Sequence, residues 1–286
     1  MEHKLHSIRR RFDRSAKASY DVHARVQRVM ANKLCRSLAL RKQRAGATRP
    51  HLLEIGCGTG LLTEMLLRDW PDAVITALDI APAMLEAAER RIRSKVPSAV
   101  ANQRFPVNFR LADAEAWAAQ AEPLSFDLIV SSACFQWLAS PQDTLRHLRR
   151  LLRPGGLLAF TTFGPETFRE LHESFAAVYR SRGLEPQRHG LTFLSAGEWQ
   201  SLLQHAGFAE ARGESAIRTE GHASVSEFLH SVKATGASAS SADSSRTLGW
   251  RSLFAGMFRE YEERFPAPEG ITATYQLLLL QAEVPS

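Results

Sequence analysis

H-L-L-E-I-G-C-G-T-G, His51 to Gly60, is a short apolar run that breaks into glycines at every second position. Glycine lacks Cβ, so Gly56, Gly58 and Gly60 are free to take positive φ and let a ligand lie against bare backbone. A second apolar run, Ala73 to Leu78, ends in Asp79, about where a doubly wound sheet brings an acidic residue to ribose hydroxyls. Together they describe a nucleoside pocket in an α/β fold.

What the loop lacks narrows the ligand. The dinucleotide fingerprint needs a glycine where this chain has Leu61, and no Gly-Lys-Ser/Thr follows to hold a phosphate. E-x-G-x-G-x-G with a downstream Asp resembles motif I of the class I methyltransferases, whose ligand is S-adenosyl-L-methionine. In that reading Glu54 and the glycine loop meet the methionine end, with Glu54 reaching its ammonium directly or through water. Asp79 accepts both ribose hydroxyls, Asp113 accepts the adenine amine and Ala114 supplies backbone contact. The competing reading of each carboxylate is a surface or helix-capping group.

The 286 residues, 44% hydrophobic and 23% charged, suit one large globular domain with an insertion. A net charge of +6 favours an acidic partner through long-range attraction and says nothing about fold. Arg9, Arg10 and Arg11 stand beside Phe12 and Asp13 without interleaved aromatics, which reads as a solvated helix face rather than a nucleic-acid arm. Cys35, Cys57 and Cys134 are odd in number and far apart, which argues against a disulfide framework and suits a reducing cytosol. There is no C-x-x-C or H-x-x-x-H pair, so no structural metal is expected. M-E-H-K-L-H-S-I-R-R lacks the apolar core of a signal peptide, and the longest aliphatic block, Leu277 to Leu280, is too short to span a bilayer. The expectation is a cytoplasmic protein with no membrane or nucleic-acid partner.

Residues 1–46 read as an N-terminal helical cap, with Val22, Val26, Val29, Met30, Leu34 and Leu38 at helical spacing on one face. Continuously apolar runs at 51–55, 73–79, 107–111, 126–131 and 156–162 have the character of strands buried on both faces. Helical patterns lie between them, so strand and helix alternate as in a parallel doubly wound sheet. The core spans 47–221, and Ala211–Thr219 and Thr274–Leu280 read as its antiparallel strands, the last segment being 269–286. Residues 222–268 form a helical insertion, a lid whose serine- and alanine-rich middle is either a linker or a mobile segment.

The loop after the fourth strand, S-S-A-C-F-Q-W, has no Asn/Asp-Pro-Pro-Tyr element to align an amine nucleophile, which shifts weight to an oxygen, sulfur or carbon acceptor. Gln136 and Trp137 either line the transfer site or pack. A carboxylate acceptor needs no general base, only positioning and desolvation. Tyr20 and His23 in Y-D-V-H-A, and Lys233 in the insertion, are the candidate donors.

F-D-R-S-A-K-A-S-Y-D-V-H-A-R-V-Q (12–27), E-I-G-C-G-T-G-L-L, F-D-L-I-V-S-S-A-C-F-Q-W (126–137), L-R-P-G-G-L-L-A-F-T-T-F-G-P-E-T-F-R-E-L-H (152–172), S-V-K-A-T-G-A (231–237) and T-A-T-Y-Q (272–276) resemble, in order, the malonyl-acyl-carrier-protein O-methyltransferase family of biotin synthesis. The resemblance spans nearly the whole chain. It implies a Rossmann-like class I methyltransferase sheet with N-terminal helices and an inserted helical cap, S-adenosyl-L-methionine as cofactor, and malonyl-acyl carrier protein or malonyl-coenzyme A as acceptor. It further implies that Tyr20 belongs to a helix closing over cofactor and substrate, and that Phe163 faces the acyl site. Two alternatives share the fold: a methyltransferase of another small carboxylic acid, and an assembly factor or hydroxylase that reuses it.

Overall fold

In the computed structural model, which describes residues 2–18, 20–44, 49–95, 105–187, 189–236 and 248–285, the chain opens with three helices. These are α1 (Glu2–Ala18), the single turn α2 (Tyr20–His23) and α3 (Arg25–Arg44). Strand and helix then alternate through β1 (His51–Ile55), α4 (Leu61–Asp69), β2 (Val74–Asp79), α5 (Pro82–Arg93), β3 (Val107–Leu111) and α6 (Ala114–Gln120). The alternation continues with β4 (Phe126–Ser132), α7 (Pro141–Leu151), β5 (Leu152–Phe163), α8 (Arg169–Ser181), α9 (Ala196–His205) and β6 (Ala209–His222). Two more helices, α10 (Val225–Ala234) and α11 (Leu248–Arg264), and the short β7 (Pro266–Ala267) precede β8 (Gly270–Glu283).

The strands form one sheet in the order β3-β2-β1-β4-β5-β8-β6, with β7 paired to β8. β1 to β5 run parallel, and β8 lies antiparallel between β5 and β6. The strand order reverses between β1 and β4, which places the switch-point crevice beyond the carboxyl ends of those two strands.

Side chains alternate across a strand, so neighbouring residues feed opposite cores. Leu53, Ile129 and Leu158 pack on one face with Leu145, Leu148 and Trp199. Leu52, Leu128 and Leu157 pack on the other with Leu34, Leu38, Leu66 and Ile92. A third cluster beyond the sheet ends joins Val26 and Met30 of α3 to Phe163, Phe175, Phe228, Met257 and Tyr275.

Three sequence expectations differ from this architecture. Val22 does not belong to the buried stripe: the helical run is interrupted at Ala24, leaving Val22 69% exposed on α2 while Val26, Met30, Leu34 and Leu38 are buried. β5 starts at Leu152 rather than at 156, because Leu152 pairs with Phe126 before a register shift that carries Gly155 at φ +69°. β6 and β8 are longer than expected because they pair with each other along nearly their whole length. The serine- and alanine-rich stretch, residues 237–247, lies outside the described residues.

Candidate functional site

The backbone N–H groups of Gly56 and Cys57 both donate to the Leu78 carbonyl at 2.9 Å, so the loop after β1 folds across the end of β2. Gly56, Gly58 and Gly60 take φ of +70°, +54° and +82°, the left-handed region that favours glycine. A Cβ on Gly56 would lie 2.5 Å from Cys134 Sγ, and one on Gly60 would lie 2.9 Å from Ala88 Cα. A Cβ on Gly58 would meet no atom within 4 Å and would project into open space. Gly56 and Gly58 line a first cavity, whereas Gly60 is absent from its lining and serves the contact between α4 and α5.

Asp79, Asp113, Ala114 and Tyr20 line the same cavity. Asp79 is buried, its Oδ2 accepting from the Gly58 N–H at 2.8 Å and its Oδ1 from the Ala81 N–H at 2.9 Å. Burial pushes its carboxyl up to about 6, against the opposing pull of the Ala81, Gly58 and Ile80 N–H groups. Asp113 is the N-cap of α6, accepting from the Glu115 N–H at 3.1 Å, so the capping reading and a place on the cavity wall hold for one side chain. Burial raises its pKa as well. Burial, then the charges of Asp79 and Asp21, drive the Tyr20 hydroxyl far above its ordinary value, so it stays a neutral donor.

Besides Gly60, two expected residues sit elsewhere. Glu54 is 1% exposed and does not line the cavity; its Oε2 accepts from Thr63 Oγ1 at 2.6 Å, toward α4. Burial pushes its carboxyl up to about 8. Lys233 is exposed on α10 and lines neither this cavity nor its neighbour, because the cavity-facing positions there are Ser231 and Val232 of the helix and Thr235 at its C-cap.

A second cavity adjoins the first. Phe163 lines it, packed against Phe193 and Tyr275 at ring-centroid distances of 5.8 and 6.2 Å, together with His23, Gln27 and Gln136. Trp137, in the 3-10 turn Phe135–Trp137, lines both cavities. Gln136 is fixed beside it, donating to the Ala133 carbonyl at 2.7 Å and accepting from Thr162 Oγ1 at 3.1 Å. No Asp, Glu, Lys or Arg is among the described residues lining the second cavity.

Sequence reasoning missed Leu5, Ile8 and Phe12, the α1 side chains that roof the first cavity, and Glu115 on its wall. The signal for the first three was their spacing, Leu5, Ile8 and Phe12 standing at i, i+3 and i+7. Glu115 had none: it is held by the Ala139 and Ser140 N–H groups and Thr144 Oγ1, all in a distant loop and helix. Among the described residues no group of three or more His, Cys, Asp or Glu is placed to hold a metal ion. No helix among them is long and apolar enough to cross a membrane.

Comparison with known proteins agrees with the fold. A methyltransferase-domain family model matches residues 53–158. The chain is 51% identical over 276 residues to a malonyl-acyl-carrier-protein O-methyltransferase of Paenibacillus sp. (strain JDR-2), covering 96% of this chain and 98% of the relative. It is 40% identical over 276 residues to the protein of that name in Brevibacillus brevis, covering 96% and 95%. Among solved structures, the YcgJ protein of Bacillus subtilis superposes with a TM-score of 0.57 at 18% identity, over 88% of this chain and 99% of that one. Phosphoethanolamine N-methyltransferase 2 of Haemonchus contortus, in complex with phosphomonomethylethanolamine and S-adenosylhomocysteine, superposes with a TM-score of 0.51 at 17% identity, over 87% of this chain and 53% of that one. At these identities the two structures speak for the fold.

Proposed function

The chain belongs to the malonyl-acyl-carrier-protein O-methyltransferase family, and from that premise we propose that it transfers a methyl group from S-adenosyl-L-methionine to the free carboxyl oxygen of malonyl-acyl carrier protein. The product is the malonyl methyl ester, the starter for pimelate and biotin synthesis. We place the reaction in the cytoplasm, where Cys35, Cys57 and Cys134 remain free thiols.

The first cavity suits the cofactor. Its empty space is about 780 Å³ including the open mouth, room for a nucleoside with a short side chain. Bare backbone at Gly58, where a Cβ would enter that space, and a buried carboxylate at Asp79 are what such a ligand requires. S-adenosyl-L-methionine supplies a sulfonium methyl group there. Asp79 keeps lone pairs beyond those used by Gly58 and Ala81 and accepts the ribose hydroxyls; Asp113 accepts the adenine amine, beside Ala114. Glu54 acts from below the loop through Thr63 and α4 rather than by contact.

The second cavity suits the acceptor, and the observation that carries this reading is its chemistry: Phe163, Trp137 and Tyr275 exclude water while Gln27, Gln136 and His23 offer hydrogen-bond donors. A carboxylic acid is ionised at neutral pH, so no base has to remove a proton. The uncharged amides of Gln27 and Gln136 orient the carboxylate and leave its oxygen nucleophilic. Trp137, common to both cavities, marks where methyl donor and acceptor meet. The Tyr20 hydroxyl, neutral throughout, orients and does not act as a base.

The test compares malonyl and acetyl thioesters of one carrier protein under identical conditions. We expect S-adenosylhomocysteine to form with the malonyl form only. Equal turnover of the acetyl form, which has no free carboxyl, would overturn the reading.

A further inference from the structure

One charged residue of the Y-D-V-H-A segment is unaccounted for by the two cavities. Asp21 lies between Tyr20, on the first cavity, and His23, on the second. Its carboxylate spans two elements of the core: Oδ1 accepts from Thr59 Oγ1 at 2.7 Å, and Oδ2 accepts from Arg91 of α5. Thr59 stands between Gly58 and Gly60 and is 7% exposed. Arg91 closes the triangle, its Nη1 donating to Thr59 Oγ1 at 3.4 Å, and is itself steadied by Glu64 at 3.7 Å. The preceding helix is pinned to the same core, since Asp13 Oδ1 accepts from the Ala83 N–H at the start of α5 at 3.0 Å. Phe12 meets Trp137 edge-on at 5.6 Å.

We propose that Asp21 is a positioning residue, a latch that ties the α2 turn to the glycine loop through Thr59 and Arg91 and so holds Tyr20 over the first cavity and His23 over the second. Asp21 touches neither cavity; it acts through its neighbours. The bond to Thr59 gives the loop that faces the cofactor a direct mechanical link to the roof, so the roof lifts only when that link and the Arg91 pair break. With the roof down the bound nucleoside is enclosed, and opening sets its departure. The latch rests on reading the first cavity as the cofactor site.

The measurement is release of S-adenosylhomocysteine, followed in stopped flow by tryptophan fluorescence, with Trp137 on the cavity wall as reporter. Asp21→Asn, Arg91→Met and the double variant are compared, with Thr59→Val as a milder probe that removes one hydroxyl. We expect each single charge variant to release about tenfold faster and the double variant to add little more, because both break one latch. Melting temperatures should fall by no more than a few degrees, since the pair is partly exposed, and amide exchange at 20–24 should quicken. Release at the unaltered rate from folded Asp21→Asn, or independent additive effects in the double variant, would overturn the latch. Failure of the unaltered protein to methylate malonyl thioesters would remove the acceptor reading and leave the latch standing. Failure to bind S-adenosylhomocysteine at all would remove both.

Discussion

Asp79 Oδ2 accepts the Gly58 N–H at 2.8 Å, so the acid that ends β2 also fixes the loop that follows β1. A single side chain thereby shapes the cavity and presents its charge. Asp79→Ala should weaken binding of S-adenosyl-L-methionine by about 1.5–3 kcal/mol, the scale of lost charge-assisted hydrogen bonds. Because burial holds this carboxyl up to about 6, protonation should weaken binding as pH falls through that value, and Asp79→Asn should remove the dependence. Calorimetry across pH checks both; unchanged affinity in Asp79→Ala would take the residue out of the site.

Gly58→Val should act by occupation. The added side chain enters open space at φ +54°, where a β-branched residue is strained and where the ligand must lie. We expect a protein that folds with somewhat lower stability and binds at least about a hundredfold more weakly, close to 3 kcal/mol. Normal affinity in the folded variant would contradict the assignment of the glycine loop.

The buried Glu54 should reveal itself in stability. Its folded pKa lies near 8, above the ordinary carboxylate value of 4.5, so the folded state holds this proton more tightly than the unfolded chain does. The resulting stability is complete below about pH 4.5 and is lost as pH rises toward 8. Glu54→Gln keeps an acceptor for Thr63 and carries no charge, so it should match the parent near pH 5 and exceed it by about 2–4 kcal/mol near pH 9. Denaturant melts at the two pH values decide the matter, and parallel curves for both proteins would contradict the buried-acid account.

The strand-and-helix alternation and the glycine loop were legible because each leaves a local trace: paired-face burial gives continuous apolar runs, and left-handed backbone calls for Gly56, Gly58 and Gly60. Asp79 and Asp113 were legible for a similar reason, since Asp79 is the last residue of β2 and Asp113 comes two residues after β3. The sequence does not tell which way Glu54 turns, and Thr63, nine positions on, claims it. Lys233 failed because one position along α10 separates cavity from solvent. The contacts of Asp21 with Thr59 and Arg91, 38 and 70 positions away, arise from tertiary docking and have no local signature.

Tyr20→Phe separates orientation from proton transfer. The hydroxyl is held neutral by burial and by Asp79 and Asp21, so its loss should lower kcat without adding any pH dependence. With saturating S-adenosyl-L-methionine, single-turnover rates of the parent should be flat from about pH 6 to 9, because the acceptor carboxylate is already ionised. A rise of about tenfold per pH unit over that range would show a base at work.

The most direct measurement of the central assignment follows a carbon-13 methyl group from labelled S-adenosyl-L-methionine into malonyl-acyl carrier protein by mass spectrometry and methyl-proton NMR. We expect one methyl gained per carrier protein and a methoxy resonance, placing the group on the free carboxyl oxygen. A carbon-bound methyl resonance, or no transfer to the malonyl group while another acceptor is methylated, would contradict carboxyl methylation.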